Sequence, residues 1–215
     1  MEKKSYIFSE ISFKILNEIA YFDQVWSREI FKEWFNFQYE INEYDEKFLK
    51  ELIKINEYRM DFYSELQLSL HFISPFLSRV GLNTKYFSSW FETKLQGIIN
   101  GYKLKGNLDF MLASGKLKPE IPYFFIQEFK KSAPIPKHPR GQLFAQMAVA
   151  IENNKINKIR GAYNIGRFWF FVVLEKIGVS KYQYHESKAF DSLDIEHLKQ
   201  IFIILKSVKH KYCKL

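Results

Sequence analysis

Residues 123–131 read YFFIQEFKK and decide how the rest of the chain is interpreted. A short apolar run of this kind predicts a buried β-strand. The run ends in Glu128, Lys130 and Lys131, all of them ionisable residues. Burying an ionised group is costly unless it is paired or bound to a metal. The end of this strand is therefore the first place to look for a functional site.

Upstream of this strand, the sequence predicts a hairpin. Asn100-Gly101 lies between residues 95–99 and 102–104, two runs that are mainly apolar. Asn-Gly between two such runs is the strongest short hairpin signal because both residues tolerate positive φ. Residues 107–113 (NLDFMLA) read as a further strand, and residues 114–122 as a loop. We expect the strands on either side of this loop to pair.

Downstream, a proline-containing loop over residues 132–140 precedes a predicted helix at 141–153, with Pro139 in its first turn. Residues 160–165, 168–174 and 182–186 read as strands, and residues 195–208 as a final amphipathic helix. From residue 87 onward we expect a helix, three strands, a helix, two or three strands and a helix. The fold class expected is therefore α+β, with helices packed on a mixed sheet.

The N-terminal part of the chain has a different pattern. Residues 15, 19, 22, 26 and 30 are apolar and follow helical spacing, and only Gly81 of the nine glycines lies before residue 90. We expect three or four helices over residues 1–92. This predicts a helical N-terminal region, 1–86, followed by a core domain, 87–215.

The composition excludes several classes of protein. The 215 residues are 47% hydrophobic and contain one cysteine, Cys213, so a disulfide framework is excluded and a reducing cytoplasmic setting is expected. The first residues lack the apolar stretch of a signal peptide, and no uncharged run is long enough to predict a membrane span.

Charge is unevenly distributed along the chain. Residues 1–90 carry a formal net charge of −3 and residues 91–215 carry +11. The basic half, including Lys116, Lys118, Lys131, Lys137 and Arg140 in the two loops that we expect to flank the site, predicts a polyanionic partner such as nucleic acid. A lysine-rich surface that only confers solubility explains the same counts.

Strand geometry predicts how the ionisable residues meet. Side chains alternate between faces, so Glu128 and Lys130 point the same way. Asp109 lies in the strand that we expect to pair with residues 123–130, beside Glu128. Two adjacent carboxylates repel unless a cation lies between them, and Mg²⁺ prefers oxygen ligands. Lys130 would then lie where water attacks a phosphodiester.

This pattern resembles the PD-(D/E)XK nuclease superfamily. The resemblance is carried by residues 106–109 (GNLD), 126–130 (IQEFK) and 141–142 (GQ), and the family order of helix, three strands, helix and strand matches residues 87–174. Segments 106–115 and 165–175 also resemble bacterial proteins with this core. The resemblance implies a restriction-endonuclease-like core that hydrolyses DNA.

The resemblance also implies roles for individual residues. Asp109 and Glu128 would bind Mg²⁺ or Mn²⁺, with the backbone carbonyl of Phe129 as a further ligand and Lys130 assisting the attacking water. Branches related to recombination exonucleases add a glutamine on the following helix and an acid from the preceding helix. Gln142 and Glu92 match those positions.

The sequence departs from the family pattern at two positions, and other interpretations stay open. Leu108 stands where the family name has proline, and Gln146 stands where tyrosine often follows the glutamine. Each site residue could instead be an ordinary surface residue, and the core could belong to a non-catalytic nucleic-acid-binding or assembly protein. A third alternative is an interaction protein that uses its aromatic helices. Zinc hydrolysis and nucleophilic serine or cysteine catalysis lack the required motifs.

Overall fold

The computed structural model describes residues 4–131 and 138–213. In these ranges the strands span Ser5–Ile7 (β1), Tyr21–Gln24 (β2), Phe87–Ile99 (β3), Tyr102–Ser114 (β4), Glu120–Lys130 (β5), Lys158–Ile165 (β6), Phe168–Gly178 (β7), Lys181–Glu186 (β8) and Phe190–Asp191 (β9). The α-helices span Phe13–Ile19 (α1), Lys32–Phe35 (α2), Glu43–Asn56 (α3), Glu65–Leu68 (α4), Ser74–Val80 (α5), Pro139–Asn154 (α6) and Ile195–Ser207 (α7). A π-helical turn, Ser69–Ile73, joins α4 to α5, and another, Val208–Tyr212, follows α7.

Local sequence explains where the main elements begin and turn. Asn100 and Gly101, at φ 49° and 80°, form the predicted tight turn between β3 and β4. Helix α6 begins with Pro139, after His138 accepts a hydrogen bond from the Arg140 N–H. The predicted strands at 107–113, 160–165, 168–174 and 182–186 and both C-terminal helices are confirmed. The part of the predicted 132–140 loop up to residue 137, with Lys137, lies outside the described residues.

All the strands belong to one mixed sheet in the order β1-β4-β5-β6-β7-β8-β2, with β3 also paired to β4 and β9 to β7. The β1–β4, β5–β6 and β2–β8 pairs are parallel, and the others are antiparallel. Helix α6 connects the parallel strands β5 and β6, as such a crossover requires. The mixed α/β class is therefore confirmed.

Strand β4 organises the region of interest. It pairs with β3 along its whole length, so β1 and β5 share its other edge. β1 pairs with residues 103–105 and β5 with residues 110–114. Between these two pairings, residues 106–109 have no strand on that edge in the described part of the chain. Asp109 lies in this gap.

Two hydrophobic cores lie on opposite faces of the sheet. On one face, α1 and the almost fully buried α6 pack against Phe8, Leu104 and Ile126. On the other face, the N-terminal helices and α7 pack around Trp34, Phe110 and Phe202. Leu108 and Met111 both belong to the α6-side core, although strict alternation would place residues three apart on opposite faces. The sheet is thus irregular at Asp109, between them.

The prediction of an all-helical N-terminal region is wrong in two places. The helical spacing predicted at 15–30 ends at Ala20, and Tyr21–Gln24 forms β2, which pairs in parallel with β8. Ser5–Ile7 forms β1 and pairs with β4. The boundary at residue 86 therefore does not separate two cores, because N-terminal residues complete both faces of the sheet.

The helix expected at the start of the core, from residue 87, is also wrong. Residues 87–99 form β3, because they pair with β4 over this whole length and include aromatic and β-branched residues that favour a strand. Within the described residues, every helix is too short or too polar to cross a bilayer.

Candidate metal centre

Asp109 lies where β4 and β5 separate. Their pairing ends at Phe110 and Gln127, and beyond this point β5 continues beside β6. Beyond this pair, a side chain replaces the backbone hydrogen bonding between the two strands. The Asp109 Oδ2 accepts a hydrogen bond from the Phe129 N–H at 2.6 Å. The side chain is half-buried. The separation of the strands therefore leaves room for a charged group at the centre of the sheet.

Glu128 is the most deeply buried acid of this region, with 0% of its surface exposed. Its Oε1 lies 2.8 Å from the Lys130 Nζ, two residues further along β5, which confirms that both side chains share a face. Its Oε2 accepts a hydrogen bond from Gln146 Nε2 on α6 at 3.1 Å. The carboxylate is thus oriented from two sides.

Burial and a neighbouring acid change the protonation of Glu128. Desolvation first, and then the Asp109 charge, raise the pKa of Glu128 to about 8, although Lys130 acts in the opposite direction. For Lys130, burial lowers the pKa, but the Glu128 and Asp109 carboxylates outweigh this and the net pKa is raised. The Asp109 charge thus contributes both to the raised pKa of Glu128 and to that of Lys130.

Glu92 also reaches this cluster, although from a strand and not from the predicted helix. It lies on β3, between the pairs Phe91–Phe110 and Thr93–Leu108, and so faces Asp109 across the hairpin. Its φ of 47° is unusual for a non-glycine residue and marks a local distortion of the edge strand. Glu92 is solvent-exposed, but desolvation, followed by the Asp109 charge, raises its pKa.

An acid that the sequence did not indicate completes the surroundings. Glu65, in the first turn of α4, lies 3.7 Å from the Lys130 Nζ and is itself largely exposed. Nothing in the local sequence connects Glu65 with residues 109–130, because the contact depends on how the N-terminal helices dock onto the sheet. We refer to Glu65, Glu92, Asp109, Glu128 and Lys130 as the acid cluster.

The glutamine that contacts the acid cluster is Gln146 and not the predicted Gln142. Gln142 is half-buried one helical turn earlier on α6, and among the described residues it has no hydrogen bond to the cluster. Gln146 is fully buried, and its Oε1 has no hydrogen-bond partner in the described part of the chain. Both glutamines lie on one face of the helix, so spacing alone could not decide between them. The docking of α6 decides it.

The donor set fits a hard divalent cation of the Mg²⁺ type. A buried carboxylate with a raised pKa beside a second carboxylate would be stabilised by a cation between them. Among the residues described, no group of three or more His, Cys, Asp or Glu side chains is placed to hold a metal ion. Mg²⁺ is commonly bound through one or two carboxylates and retains several waters. Asp109 and Glu128 match that donor count, and the unpartnered Gln146 Oε1 could accept from a bound water.

A second polar cluster lies next to Glu128. Tyr163 is the neighbour of Glu128 in the parallel β5–β6 register, and its hydroxyl donates to Glu186 Oε2 at 2.9 Å. Arg140 Nε lies 2.9 Å from the same oxygen and donates to the Tyr163 hydroxyl at 3.3 Å. Burial and the Arg140 charge lower the pKa of His138 to about 4, so this imidazole is neutral at pH 7. The first turn of α6 is thereby tied to the sheet beside the acid cluster.

The loop with Lys116 and Lys118 does not flank the acid cluster, so that expectation is wrong. It lies before β5, whereas Glu128 lies near the end of β5. Eight residues of strand separate Glu120 from Glu128, or about 26 Å. Lys116 and Lys118 instead line a cleft of about 590 Å³ with Lys85 and Tyr86. Lys131 follows β5 directly and lines a smaller cleft with Arg167.

Comparison with known proteins adds no assignment. No protein-family model matches the chain, and no curated protein matches it significantly.

Proposed function

We propose that the chain is a metal-dependent nuclease that hydrolyses phosphodiester bonds, with DNA as the first substrate to test. The observation that supports the proposal lies where β4 and β5 separate: Glu128 is 2.8 Å from Lys130, and Asp109 accepts a hydrogen bond from the N–H of Phe129, the residue between them. Two carboxylates and one ammonium group on adjoining strands are the groups that such a reaction needs. We further propose that α5, β3–β5, α6 and β6 form a core of the PD-(D/E)XK type, which their order supports.

The proposed roles follow from the contacts of each group. Asp109 and Glu128 would hold Mg²⁺ or Mn²⁺, which when bound supplies positive charge to a phosphodiester and acidifies water. Gln146 orients the Glu128 carboxylate through its amide. Lys130 keeps its charge because two acids raise its pKa, and so it can stabilise negative charge that develops at the reacting phosphate.

The direct test is cleavage of plasmid and end-labelled linear DNA by purified protein, with Mg²⁺ and with EDTA. We expect cleavage only with Mg²⁺. Asp109→Asn and Glu128→Gln should each reduce the rate by roughly 100-fold or more, because each removes a charge that binds the metal. Glu120→Gln is the matched control, since Glu120 is an exposed acid on the same strand as Glu128.

A second readout does not depend on activity. If Mg²⁺ binds with a Kd near 1 mM, 10 mM Mg²⁺ should stabilise the folded state by about 1.4 kcal/mol. For a chain of this size, that corresponds to a rise in Tm of roughly 3–6 °C. The rise should be absent in Asp109→Asn and present in Glu120→Gln. Equal rises in all proteins, or cleavage by a clean Glu128→Gln preparation, would refute the assignment.

A binding protein without turnover is the alternative outcome of these experiments. It would bind DNA in a salt-dependent manner, show no cleavage under any metal condition, and be indifferent to Lys130→Ala. The ion pair between Lys130 and Glu128 would then have only a structural role.

A further inference from the structure

One face of the β1-β4-β3 part of the sheet is open to solvent. On β3, the side chains of Lys94, Gln96 and Ile98 are exposed, and they alternate with buried or half-buried neighbours such as Leu95 and Ile99. Ile98 keeps 60% of its surface exposed. The alternation shows that these three side chains point away from the core beneath α6.

The neighbouring strands extend the same face. In the β3–β4 register, Lys94 pairs with Asn107, Gln96 with Lys105 and Ile98 with Lys103. Directly paired residues of an antiparallel hairpin lie on the same face. On the other side of β4, the exposed Ile7 of β1 pairs with Lys105. We call these seven residues, Ile7, Lys94, Gln96, Ile98, Lys103, Lys105 and Asn107, the open face.

The open face is basic. Lys94, Lys103 and Lys105 have no ion-pair partner within the described ranges, and the open face contains no acid. The remaining polar groups are the amides of Gln96 and Asn107, which can donate hydrogen bonds. A groove of about 480 Å³ runs over it, lined by Ile7, Lys94, Gln96, Lys105 and Asn107 among others.

Along β3 and β4 the open face lies next to the acid cluster, whereas Glu128 points to the other side of the sheet, toward Gln146 on α6. Glu92 lies two residues before Lys94 on β3, and Asp109 lies two residues after Asn107 on β4. Two residues of strand span about 7 Å. Lys94, the lysine of the open face nearest to Glu92 on β3, is therefore within one or two nucleotide lengths of the proposed metal centre.

We propose that the open face binds the sugar–phosphate backbone of a nucleic-acid strand whose scissile phosphate reaches the acid cluster through the gap beside residues 106–109, where no described strand covers that edge of β4. This inference rests on the proposed nuclease function. It is supported by charge complementarity, since three uncompensated ammonium groups and two amide donors suit phosphate and sugar oxygens. From Glu92 to Ile98 the strand covers about 20 Å, or roughly six nucleotides at the rise of a B-form strand.

The test is the affinity of a fluorescein-labelled 20-nucleotide single-stranded DNA, measured by fluorescence anisotropy in EDTA so that no metal-dependent cleavage occurs. The variant carries Lys94→Gln, Lys103→Gln and Lys105→Gln. The matched control carries Lys47→Gln, Lys54→Gln and Lys181→Gln, which removes the same charge from exposed positions elsewhere. Melting temperatures of both variants verify that they fold. If the first does not fold, Lys105→Glu alone replaces it.

The expected effect follows from counterion release. Each lost phosphate contact lowers the slope of log K against log salt by about 0.7 for a single strand. For the open-face variant, the magnitude of the slope of log K against log salt should therefore fall by about 2. The variant should bind the labelled DNA about 100-fold more weakly at 0.1 M monovalent salt. The control variant should change by less than about threefold.

The outcomes separate this inference from the nuclease assignment. If wild-type protein cleaves DNA and both triple variants bind DNA equally well, the proposed DNA binding by the open face is refuted and the nuclease assignment is retained. If only the open-face variant loses binding and wild-type protein never cleaves DNA, DNA binding by the open face is supported and the nuclease assignment is refuted. Displacement of the labelled strand by polyglutamate as efficiently as by unlabelled DNA would overturn the strand assignment in favour of a general acidic partner.

Discussion

Replacing Glu128 by glutamine should make the free energy of unfolding less dependent on pH, because the titrating carboxyl group is lost. Burial and Asp109 raise the pKa of Glu128 to about 8, compared with 4.5 for an unperturbed glutamate. A raised carboxyl pKa means that the folded state retains a proton which the unfolded state has released. This contribution to stability is fully present below pH 4.5 and is lost as the pH rises toward 8.

The magnitude can be worked out from these two values. Each pH unit between the unfolded and folded pKa costs the folded state about 1.4 kcal/mol. Between pH 5 and pH 9, the wild-type protein should therefore lose about 4 kcal/mol of unfolding free energy through this one group. Glutamine at position 128 does not titrate, so Glu128→Gln should lack this loss. Comparing each protein with itself at two pH values cancels the fixed effect of the substitution on packing.

Urea unfolding at pH 5, 7 and 9 in EDTA measures these free energies. Glu120→Gln serves as the control and should follow the wild-type protein within about 0.5 kcal/mol, because Glu120 is exposed on the same strand. If Glu128→Gln and wild-type protein lose stability in parallel between pH 5 and 9, the carboxylate is not desolvated as described. The main reason to place a cation beside it would then disappear.

Two further predictions concern packing. Gly141→Ala should destabilise the chain by about 1–3 kcal/mol, because an added Cβ would clash with the Ile11 carbonyl oxygen. Gly178→Ala, where the nearest atoms to an added Cβ are 3.6 Å away, should change the unfolding free energy by less than about 1 kcal/mol. Equal urea midpoints for these two variants would contradict the close approach of the N-terminal segment to α6. Trp34→Phe should cost about 1–3 kcal/mol, since it removes a buried indole hydrogen bond of 3.1 Å to the Ile204 carbonyl and leaves a void. An unchanged midpoint in urea would show that this bond contributes nothing.

Much of the core could be predicted because its signals are local. The Asn100-Gly101 turn and the strands on either side of it need only a few residues to specify them. The shared face of Glu128 and Lys130 follows from the two-residue period of a strand. Helix α6 and the strands after it were equally readable from periodicity and proline placement.

The failed predictions all depend on contacts between residues that are distant in sequence. Helical spacing ran through Phe22, but β2 forms there because β8 offers it a partner 160 residues later. Glu92 approaches the acid cluster from a distorted strand, and its position depends on the pairing of β3 with β4. Lys116 was expected at the site although the hairpin carries it to the far end of β5.

By itself, the sequence determined which strands carry Asp109, Glu128 and Lys130, and that Glu128 and Lys130 share a face. Only the tertiary structure decided that Gln146, and not Gln142, contacts Glu128, and that Glu65 lies beside Lys130. The physical reason is that turn chemistry and side-chain alternation act within a few residues. The positions of α6 and the N-terminal helices along the sheet, by contrast, depend on packing contacts over the whole sheet.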